Sequence, residues 1–367
     1  MSRKAVPTDE RVDLLDLTPG ALEHTLKEWF ERRGQPRYRA DQVRGWILER
    51  LALGFDEMHN LPAAEREAMK QQFRFTAPAA QHVARSEDGT VKHLWRMEDG
   101  ELIESVLIPS RDRLTLCISS QAGCAMACVF CATGWSGYRR QLRTGEIVAQ
   151  YRGSQRWARD HGMGEISNIV FMGMGEPLAN LAAVMPALTL LNHGYGVGAR
   201  RITVSTVGVA PGIVELAERP EQFRLALSLH APNHELRQKI VPLEKRYPLP
   251  ELLDALRAFD AAGGRRITLE YVMIDGVTDR PELVGELAGI AREFHAHVNL
   301  IPYNPIPGPD WQPTPAPRLR EFAAELDRAG VPATIRTPRG RDIAAACGQL
   351  RAEHEMKAPR SFVLLGA

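Results

Sequence analysis

Three of the five cysteines form one short cluster, and this cluster constrains the fold and chemistry of the chain more than any other feature. Cys124, Cys128 and Cys131 have the spacing Cys-x3-Cys-x2-Cys. Three thiolates can hold a 4Fe–4S cube and leave one iron free to bind a small chelating molecule, whereas fully ligated clusters take four cysteines. A zinc site is the alternative, but structural zinc takes four ligands from paired Cys or His units, and no second unit lies nearby in the sequence. The spacing therefore predicts a reactive iron-sulfur cluster.

Composition indicates an ordinary globular protein, which we expect in the cytoplasm. The 367 residues are 44% hydrophobic and 25% charged, enough for a sizeable core and two or three domains. We find no apolar run long enough to span a membrane, and the polar first residues lack the apolar core of a signal peptide. The clustered cysteines fit a reducing compartment better than a disulfide framework. The net charge of +1 neither requires nor excludes a nucleic acid partner.

Residues 1–80 are predicted to form a helical accessory domain that binds RNA. From Leu22 to about Phe75 the apolar residues recur at three- and four-residue steps, with breaks at Gly54 and Pro62. Arginines and aromatic residues interleave here, which fits either a solvated helix face or RNA contact. They are Arg32, Arg33, Arg37, Arg39 and Arg44 with Trp29, Phe30, Tyr38 and Trp46.

A β-hairpin is predicted within an extension or linker at residues 81–110. Its two apolar runs, residues 90–97 and 102–108, are punctuated by Asp88-Gly89 and Asp99-Gly100. Both dipeptides favour tight turns between strands.

Residues 111–345 alternate β-rich runs with amphipathic helical stretches, a pattern typical of a parallel sheet covered by helices. The fold class predicted from the six runs is α/β, a partial (β/α)6 barrel with a mouth wide enough for a large substrate. The runs lie at residues 114–119, 166–172, 202–207, 223–229, 267–274 and 298–303. Reactive loops of such barrels lie at the carboxyl ends of the strands, and the cysteine cluster directly follows the first run. Residues 346–367 are predicted to form a C-terminal segment.

Polar residues gather just beyond several of these runs. After the second run, Gly173-Met174-Gly175-Glu176-Pro177 offers backbone donors and a carboxylate for an amino group. Later runs end near Ser205, Thr206, Ser228, His230 and Asn304. Each of these residues alone is more often a turn or cap residue. Together they predict a pocket for a zwitterionic molecule that carries a ribose.

Several motifs resemble those of known enzymes. The cysteine cluster with Ala132-Thr133-Gly134, the Gly-Glu-Pro loop and Ser228-Leu229-His230 are similar to radical S-adenosylmethionine (SAM) enzymes. Cys117, residues 173–178 and residues 342–350 resemble the RlmN/Cfr family of adenosine methyltransferases. This resemblance runs from about Arg44 to Leu350, and the Ala-Cys-Gly-Gln-Leu motif near its end is the most specific part. Gln141 stands where the family is expected to have asparagine.

The resemblance implies a 4Fe–4S cluster and two SAM molecules per turnover, one as methyl donor and one as radical source. It implies methylation at carbon-2 of an adenosine in 23S rRNA, at the peptidyl-transferase centre, and of adenosine 37 in tRNA. Carbon-2 of adenine is electron-poor and its C–H bond is neither acidic nor nucleophilic, so a radical route is expected. The expected electron donor is a flavodoxin-like protein, and the chain is expected to be a monomer.

The resemblance also implies roles for individual residues. Cys347 is the implied methyl carrier, Cys117 the thiol that resolves an RNA–protein thioether by forming a disulfide with Cys347, and Glu104 the general base. An exposed strand carboxylate is the alternative interpretation of Glu104. The implied SAM contacts are Gly175, Glu176, Ser205, Ser228, Leu229, His230 and Asn304. Phosphate contacts are expected from Arg139, Arg140 and Arg143.

Three other functions stay open at this point. The same parts can serve methylation at carbon-8 of the same rRNA adenosine, which would confer antibiotic resistance, although residues 304–308 look more like the carbon-2 branch. A non-enzymatic redox-sensing RNA-binding protein would use the cluster as sensor and the other two cysteines as a switch. The third is a radical enzyme that acts on a small molecule.

Overall fold

The computed structural model describes residues 10–263 and 266–350, and its N-terminal part is the helical module expected from the sequence. Helix α1 (Pro19–Arg32) buries Leu22, Leu26 and Phe30 at four-residue steps, with proline in its first turn. Gly34, with φ of +65°, lies just beyond its end. The module is completed by α2 (Tyr38–Leu48), α3 (Ala63–Gln72) and a parallel pair of strands, β1 (Val12–Asp13) and β2 (Phe73–Arg74).

This module has a buried core of its own. Its cluster of buried apolar residues extends from Leu14 to Phe73 and, within the part of the chain that the structure describes, takes only Ala149 from outside the module. A separate core supports the accessory domain that we propose at residues 1–80, of which residues 1–9 lie outside the described residues. Of the proposed C-terminal segment, residues 351–367 also lie outside them.

The predicted hairpin is part of a larger antiparallel sheet. Its strands are β3 (Ala79–Arg85), β4 (Val91–Arg96) and β5 (Leu102–Ser110), and β5 pairs with β6 (Arg113–Cys117). The β5–β6 pairing joins the predicted extension to the barrel sheet. Sequence analysis missed β3, because most of its side chains are exposed and no buried alternation marks it.

The predicted parallel strands are confirmed, each to within two residues at its ends. After the short antiparallel pair β7 (Gln121–Gly123) and β8 (Tyr138–Gln141), they are β9 (Asn168–Phe171), β10 (Ile202–Thr206), β11 (Arg224–Ser228), β12 (Ile267–Met273) and β13 (His297–Pro302). With β6 they follow one another across the sheet in chain order, all parallel, and the short β14 (Ala333–Ile335) extends the far edge. The fold is the expected partial (β/α)6 barrel.

Helices follow the parallel strands, and most of them bury their apolar faces in one large core, whereas α8 and the short α4 pack in two smaller apolar clusters. They are α4 (Ala132–Ser136), α5 (Thr144–Asp160), α6 (Leu181–Thr189), α7 (Ala210–Ala217), α8 (His234–Ile240), α9 (Leu249–Ala261), α10 (Leu283–Glu293) and α11 (Ala316–Arg328). Among the described residues, no helix combines the length and the apolar character needed to cross a membrane.

Candidate active site

One pocket beyond the carboxyl ends of the parallel strands contains most of the predicted site residues. It is lined by Cys124, Cys128, Cys131, Gly175, Glu176, Ser205, Ser228, His230, Asn304 and Cys347. A smaller cavity is lined by both Cys117 and Cys347, so Cys347 belongs to the two cavities. Leu229 and Glu104 are buried and do not line either cavity.

The cysteine loop is held by backbone contacts on both sides. Gly123 has φ of +73°, and a Cβ built there would overlap the carbonyl oxygen of Gly137, so only glycine fits before Cys124. The amide of Cys124 donates to that same carbonyl over 3.1 Å, and the amide of Val129 donates to the carbonyl of Ile240 on α8 over 3.1 Å. The loop is thus fixed between β8 and α8.

The three thiols have the chemistry of an iron-sulfur ligand set. Burial raises the pKa of Cys124 to about 12 and the pKa of Cys128 well above its ordinary value, so these thiols ionise readily only against a bound cation. In the described part of the chain, no three Cys, His, Asp or Glu side chains converge on a point that would suit one metal ion. A 4Fe–4S cube binds each thiolate to a different iron, and three cysteines leave its fourth iron free.

Glu176 presents a buried carboxylate in the Gly-Glu-Pro loop. Its two oxygens accept hydrogen bonds from the amides of Val207, over 2.8 Å, and Leu178, over 3.0 Å. Burial raises the pKa of this carboxyl to about 7, although the backbone donors act in the opposite direction. A ligand ammonium group would offset the burial, which makes Glu176 a suitable partner for the amino group of SAM. Gly175 lies against Gln121, where a Cβ would come within 2.5 Å of its side chain.

His230 is a neutral hydrogen-bonding residue in this pocket. Its Nδ1 accepts a hydrogen bond from the amide of Val272 over 3.1 Å, which leaves the ring proton on Nε2. Burial lowers the pKa of this imidazole to about 3. The backbone of His230 has φ of +57°, and its ring packs edge-on against Phe130 at 4.4 Å between centroids.

Residues 340–350, here named the Cys347 segment, fold back onto the pocket. Asn304 Nδ2 donates to the carbonyl of Cys347 over 3.0 Å, and Asn304 Oδ1 accepts from Arg341. From the cluster loop, the amide of Ala132 donates to the carbonyl of Gly348 over 2.7 Å, and Thr133 Oγ1 donates to that of Leu350 over 2.6 Å. Asn304, an implied SAM contact, therefore also holds the Cys347 backbone.

The two isolated cysteines share a cavity with an arginine that sequence analysis missed. Many protein atoms lie near the Cys347 thiol, yet its side chain lines the open pocket and is accessible from it. Burial raises the pKa of Cys117 to about 12 and raises that of Cys347, while the nearby Arg336 lowers both. Arg336 lies 3.6 Å from Glu270 and follows β14, a strand too short for its sequence to be recognised. Arg336 is the cation that would favour either thiolate.

Glu104 is not the exposed strand carboxylate of the alternative interpretation, because only 2% of the residue is accessible. Its Oε1 lies 3.0 Å from the ammonium of Lys92 on the neighbouring strand β4. On the paired strands β5 and β6, Val106 lies opposite Cys117. Because side chains alternate along a strand, Glu104 points to the same face of the sheet as Cys117.

Arg140 and Arg143 have internal carboxylate partners, in contrast to the phosphate contacts expected for them. Arg140 is bound by Asp99 and Glu146, and Arg143 lies 3.0 Å from Asp16 of the N-terminal module. Half of the interleaved aromatic residues near α1 are also structural, since Trp29 and Phe30 are buried. Two of these carboxylates, Asp99 and Asp16, lie far away along the chain, so the local sequence does not reveal these pairs.

Comparison with known proteins agrees with this geometry. Residues 118–287 match the family described as "Radical SAM superfamily", and residues 12–74 match "Ribosomal RNA large subunit methyltransferase N-terminal domain". A radical SAM methyltransferase from Sphaerobacter thermophilus has a similar structure, with a TM-score of 0.88 and 46% identity over 93% of this chain and 100% of that one. The fold and the site thus define a radical SAM enzyme, whose class uses a 4Fe–4S cluster and SAM.

Curated relatives narrow the class further. A protein of Gemmatimonas aurantiaca named "Probable dual-specificity RNA methyltransferase RlmN" is 51% identical over 93% of this chain and 93% of its own length. One of the same name from Thermosynechococcus vestitus is 47% identical over 89% of this chain and 95% of its own length. The chain belongs to the RlmN family.

Proposed function

We propose that this chain methylates carbon-2 of an adenosine in 23S rRNA, at the peptidyl-transferase centre, and of adenosine 37 in tRNA. The names of its relatives, dual-specificity RNA methyltransferases, support this assignment. The observation that carries it is the position of the two cysteines outside the cluster loop. Cys117 and Cys347 line one cavity, and Cys347 also lines the pocket that contains the cluster loop. A generic radical enzyme has no need of this pair.

In this proposal Cys124, Cys128 and Cys131 hold the cluster. The SAM contacts are Gly175, Glu176, Ser205, Ser228, Leu229, His230 and Asn304. When bound, the cluster and SAM supply the methyl group and the radical chemistry that activates it. Glu176 binds the SAM ammonium, which offsets the burial of its carboxylate. Asn304 binds SAM after its hydrogen bond to the Cys347 carbonyl breaks.

The remaining residues act on the methyl group and the base. Cys347 carries the methyl group on its sulfur. One hydrogen atom of that methyl group would be lost to the radical that SAM supplies, and the carbon would then join the ring carbon. Glu104 would take the ring proton while one electron returns to the cluster, which leaves a thioether between Cys347 and the base. The Cys117 thiolate then attacks the Cys347 sulfur. The S–S bond forms, the C–S bond breaks, and its electron pair goes to the carbon, which takes up a proton to become the methyl group of the product. The disulfide must be reduced before the next turnover.

The setting of this activity is also part of the proposal. Residues 1–80 bind the RNA, the hairpin extension occupies residues 81–110, the barrel residues 111–345 and the C-terminal segment residues 346–367. The enzyme is a cytoplasmic monomer and receives electrons from a flavodoxin-like protein. Exposed Tyr38 and Arg37 on the N-terminal module are available for RNA contact, although Arg37 is also paired with Glu31.

Nucleoside analysis tests the activity and its position on the base. The reconstituted protein is incubated anaerobically with SAM, a chemical reductant and either rRNA or tRNA stem-loops, and the RNA is digested. We expect 2-methyladenosine from both RNAs with the unaltered protein and none with Cys347→Ala. 8-methyladenosine would show carbon-8 chemistry instead. Absence of 5′-deoxyadenosine from a fully loaded protein would favour the redox-sensing alternative.

A further inference from the structure

A buried lysine lies between the candidate base and the segment that carries Cys347. On the paired strands β4, β5 and β6, Lys92 lies opposite Val106, and Val106 lies opposite Cys117. Cross-strand partners point to the same face of a sheet, so Lys92, Cys117 and Glu104 share one face. Ile108, on this face of β5, lines the cavity of Cys117 and Cys347. This face therefore borders the reactive thiols.

The ammonium of Lys92 has two partners from different parts of the chain. It lies 3.0 Å from Glu104 Oε1 and donates to the carbonyl of Ala344, three residues before Cys347, over 3.2 Å. Only 8% of the Lys92 side chain and 2% of that of Glu104 are accessible. The ammonium thus links Glu104 on β5 directly to the Cys347 segment.

A contribution to the stability of the fold is a poor explanation for the buried Lys92–Glu104 pair. Removal of two opposite charges from water is costly for each ion, and apolar residues of similar size often stabilise a protein as well or better. Ala344 also has φ of +49°, an unfavourable conformation for a residue with a Cβ, which its surroundings must hold in place. A charged donor aimed at the Ala344 carbonyl provides such a constraint.

We propose that Lys92 is a positioning residue for the methyl transfer, because it holds the Glu104 carboxylate and the Cys347 segment in one fixed arrangement. The role in turnover rests on the proposed function. That Lys92 holds the Cys347 segment in place is independent of the proposed function. The side chain of Lys92 touches no reacting atom in this arrangement and acts only through Glu104 and Ala344.

Amide hydrogen exchange of the whole protein tests the docking without reference to catalysis. Lys92→Met is expected to speed exchange within residues 340–350 about tenfold, because a hydrogen bond from a charged donor is lost. Lys92→Arg and the matched surface variant Lys239→Met, whose lysine pairs with exposed Glu235, are expected to leave it unchanged. If Lys92→Met does not fold, the double variant Lys92→Met with Glu104→Gln removes both buried charges, and we expect it to show the same faster exchange. Glu104→Gln alone keeps the Ala344 contact, so we expect it to leave the exchange unchanged. Unchanged exchange in both Lys92→Met proteins would overturn the proposal.

Turnover provides the second measurement. Lys92→Met is expected to lower the rate of methyladenosine formation at least tenfold, and Lys92→Arg is expected to stay within about threefold of the normal rate. In the Glu104→Gln protein, Lys92→Met is expected to cause a clearly smaller loss than in the unaltered protein, because only the Ala344 contact remains to be removed. Full additivity, or failure of arginine to restore the rate in a folded protein, would refute action through Glu104. If the unaltered protein makes no methyladenosine, the proposed function fails, and the exchange result still decides the docking.

Discussion

Replacement of Gly123 by alanine is expected to impair cluster assembly, for a reason that can be worked out atom by atom. The φ of +73° alone costs an L-residue about 1–2 kcal/mol. The added Cβ overlaps the carbonyl oxygen of Gly137 and lies 3.0 Å from its carbon, so one of the two backbones must move. That movement breaks the hydrogen bond from Cys124 N to the same oxygen, worth about 1 kcal/mol more. The sum is about 2–3 kcal/mol, concentrated at the first cluster cysteine.

Gly196→Ala is the matched control. Gly196 has φ of +75°, but a Cβ there meets no atom within 4 Å, so only the conformational cost of about 1–2 kcal/mol applies. The assay is iron and sulfide per chain after anaerobic reconstitution, with the free energy of unfolding measured in urea. We expect near-normal iron in Gly196→Ala and less than half of it in Gly123→Ala. Equal iron and equal stability in the two variants would refute the steric account of the loop.

Three further predictions concern charge and docking. In the protein without cluster or SAM, the contribution of Glu176 to stability is complete below pH 4.5 and is lost as the pH rises through about 7, because burial raises its pKa from 4.5 to about 7. The loss amounts to about 3 kcal/mol between pH 5 and pH 8, and Glu176→Gln should abolish it in urea denaturation. Arg237→Met leaves the fully buried Glu244 without its guanidinium and should lower the free energy of unfolding by about 3–5 kcal/mol, with a smaller loss when Glu244→Leu is added. Asn304→Ala removes a hydrogen bond to the Cys347 carbonyl and should speed amide exchange in the Cys347 segment about fivefold, and an unchanged rate would contradict this.

The parts of the site that could be predicted are those encoded by short contiguous motifs. The cysteine cluster and the Gly-Glu-Pro loop each span a few residues, and the parallel strands are apolar runs that periodicity reveals. The convergence of Glu176, Ser205, Ser228, His230 and Asn304 then follows from the topology, since the carboxyl ends of parallel strands meet at one edge.

The missed residues depend on contacts that the sequence does not display. A lysine in a strand is usually exposed, so nothing marks Lys92 as the partner of buried Glu104. Arg336 follows β14, whose three residues carry no clear periodicity. Asp16, the carboxylate nearest to Arg143, lies in the N-terminal module, and only the folded chain shows that it pairs with the guanidinium expected to bind phosphate.

Covalent capture of RNA tests the central role of the two isolated cysteines most directly. Cys117→Ala protein carrying its cluster is incubated anaerobically with SAM, a reductant and a stem-loop RNA, and the product is examined by denaturing gel and peptide mass spectrometry. The account predicts that a protein–RNA adduct at Cys347 accumulates, because without Cys117 no thiol remains to attack the thioether. The adduct should be absent when Cys347→Ala is added. Release of methylated RNA by Cys117→Ala at the normal rate, without an adduct, would contradict it.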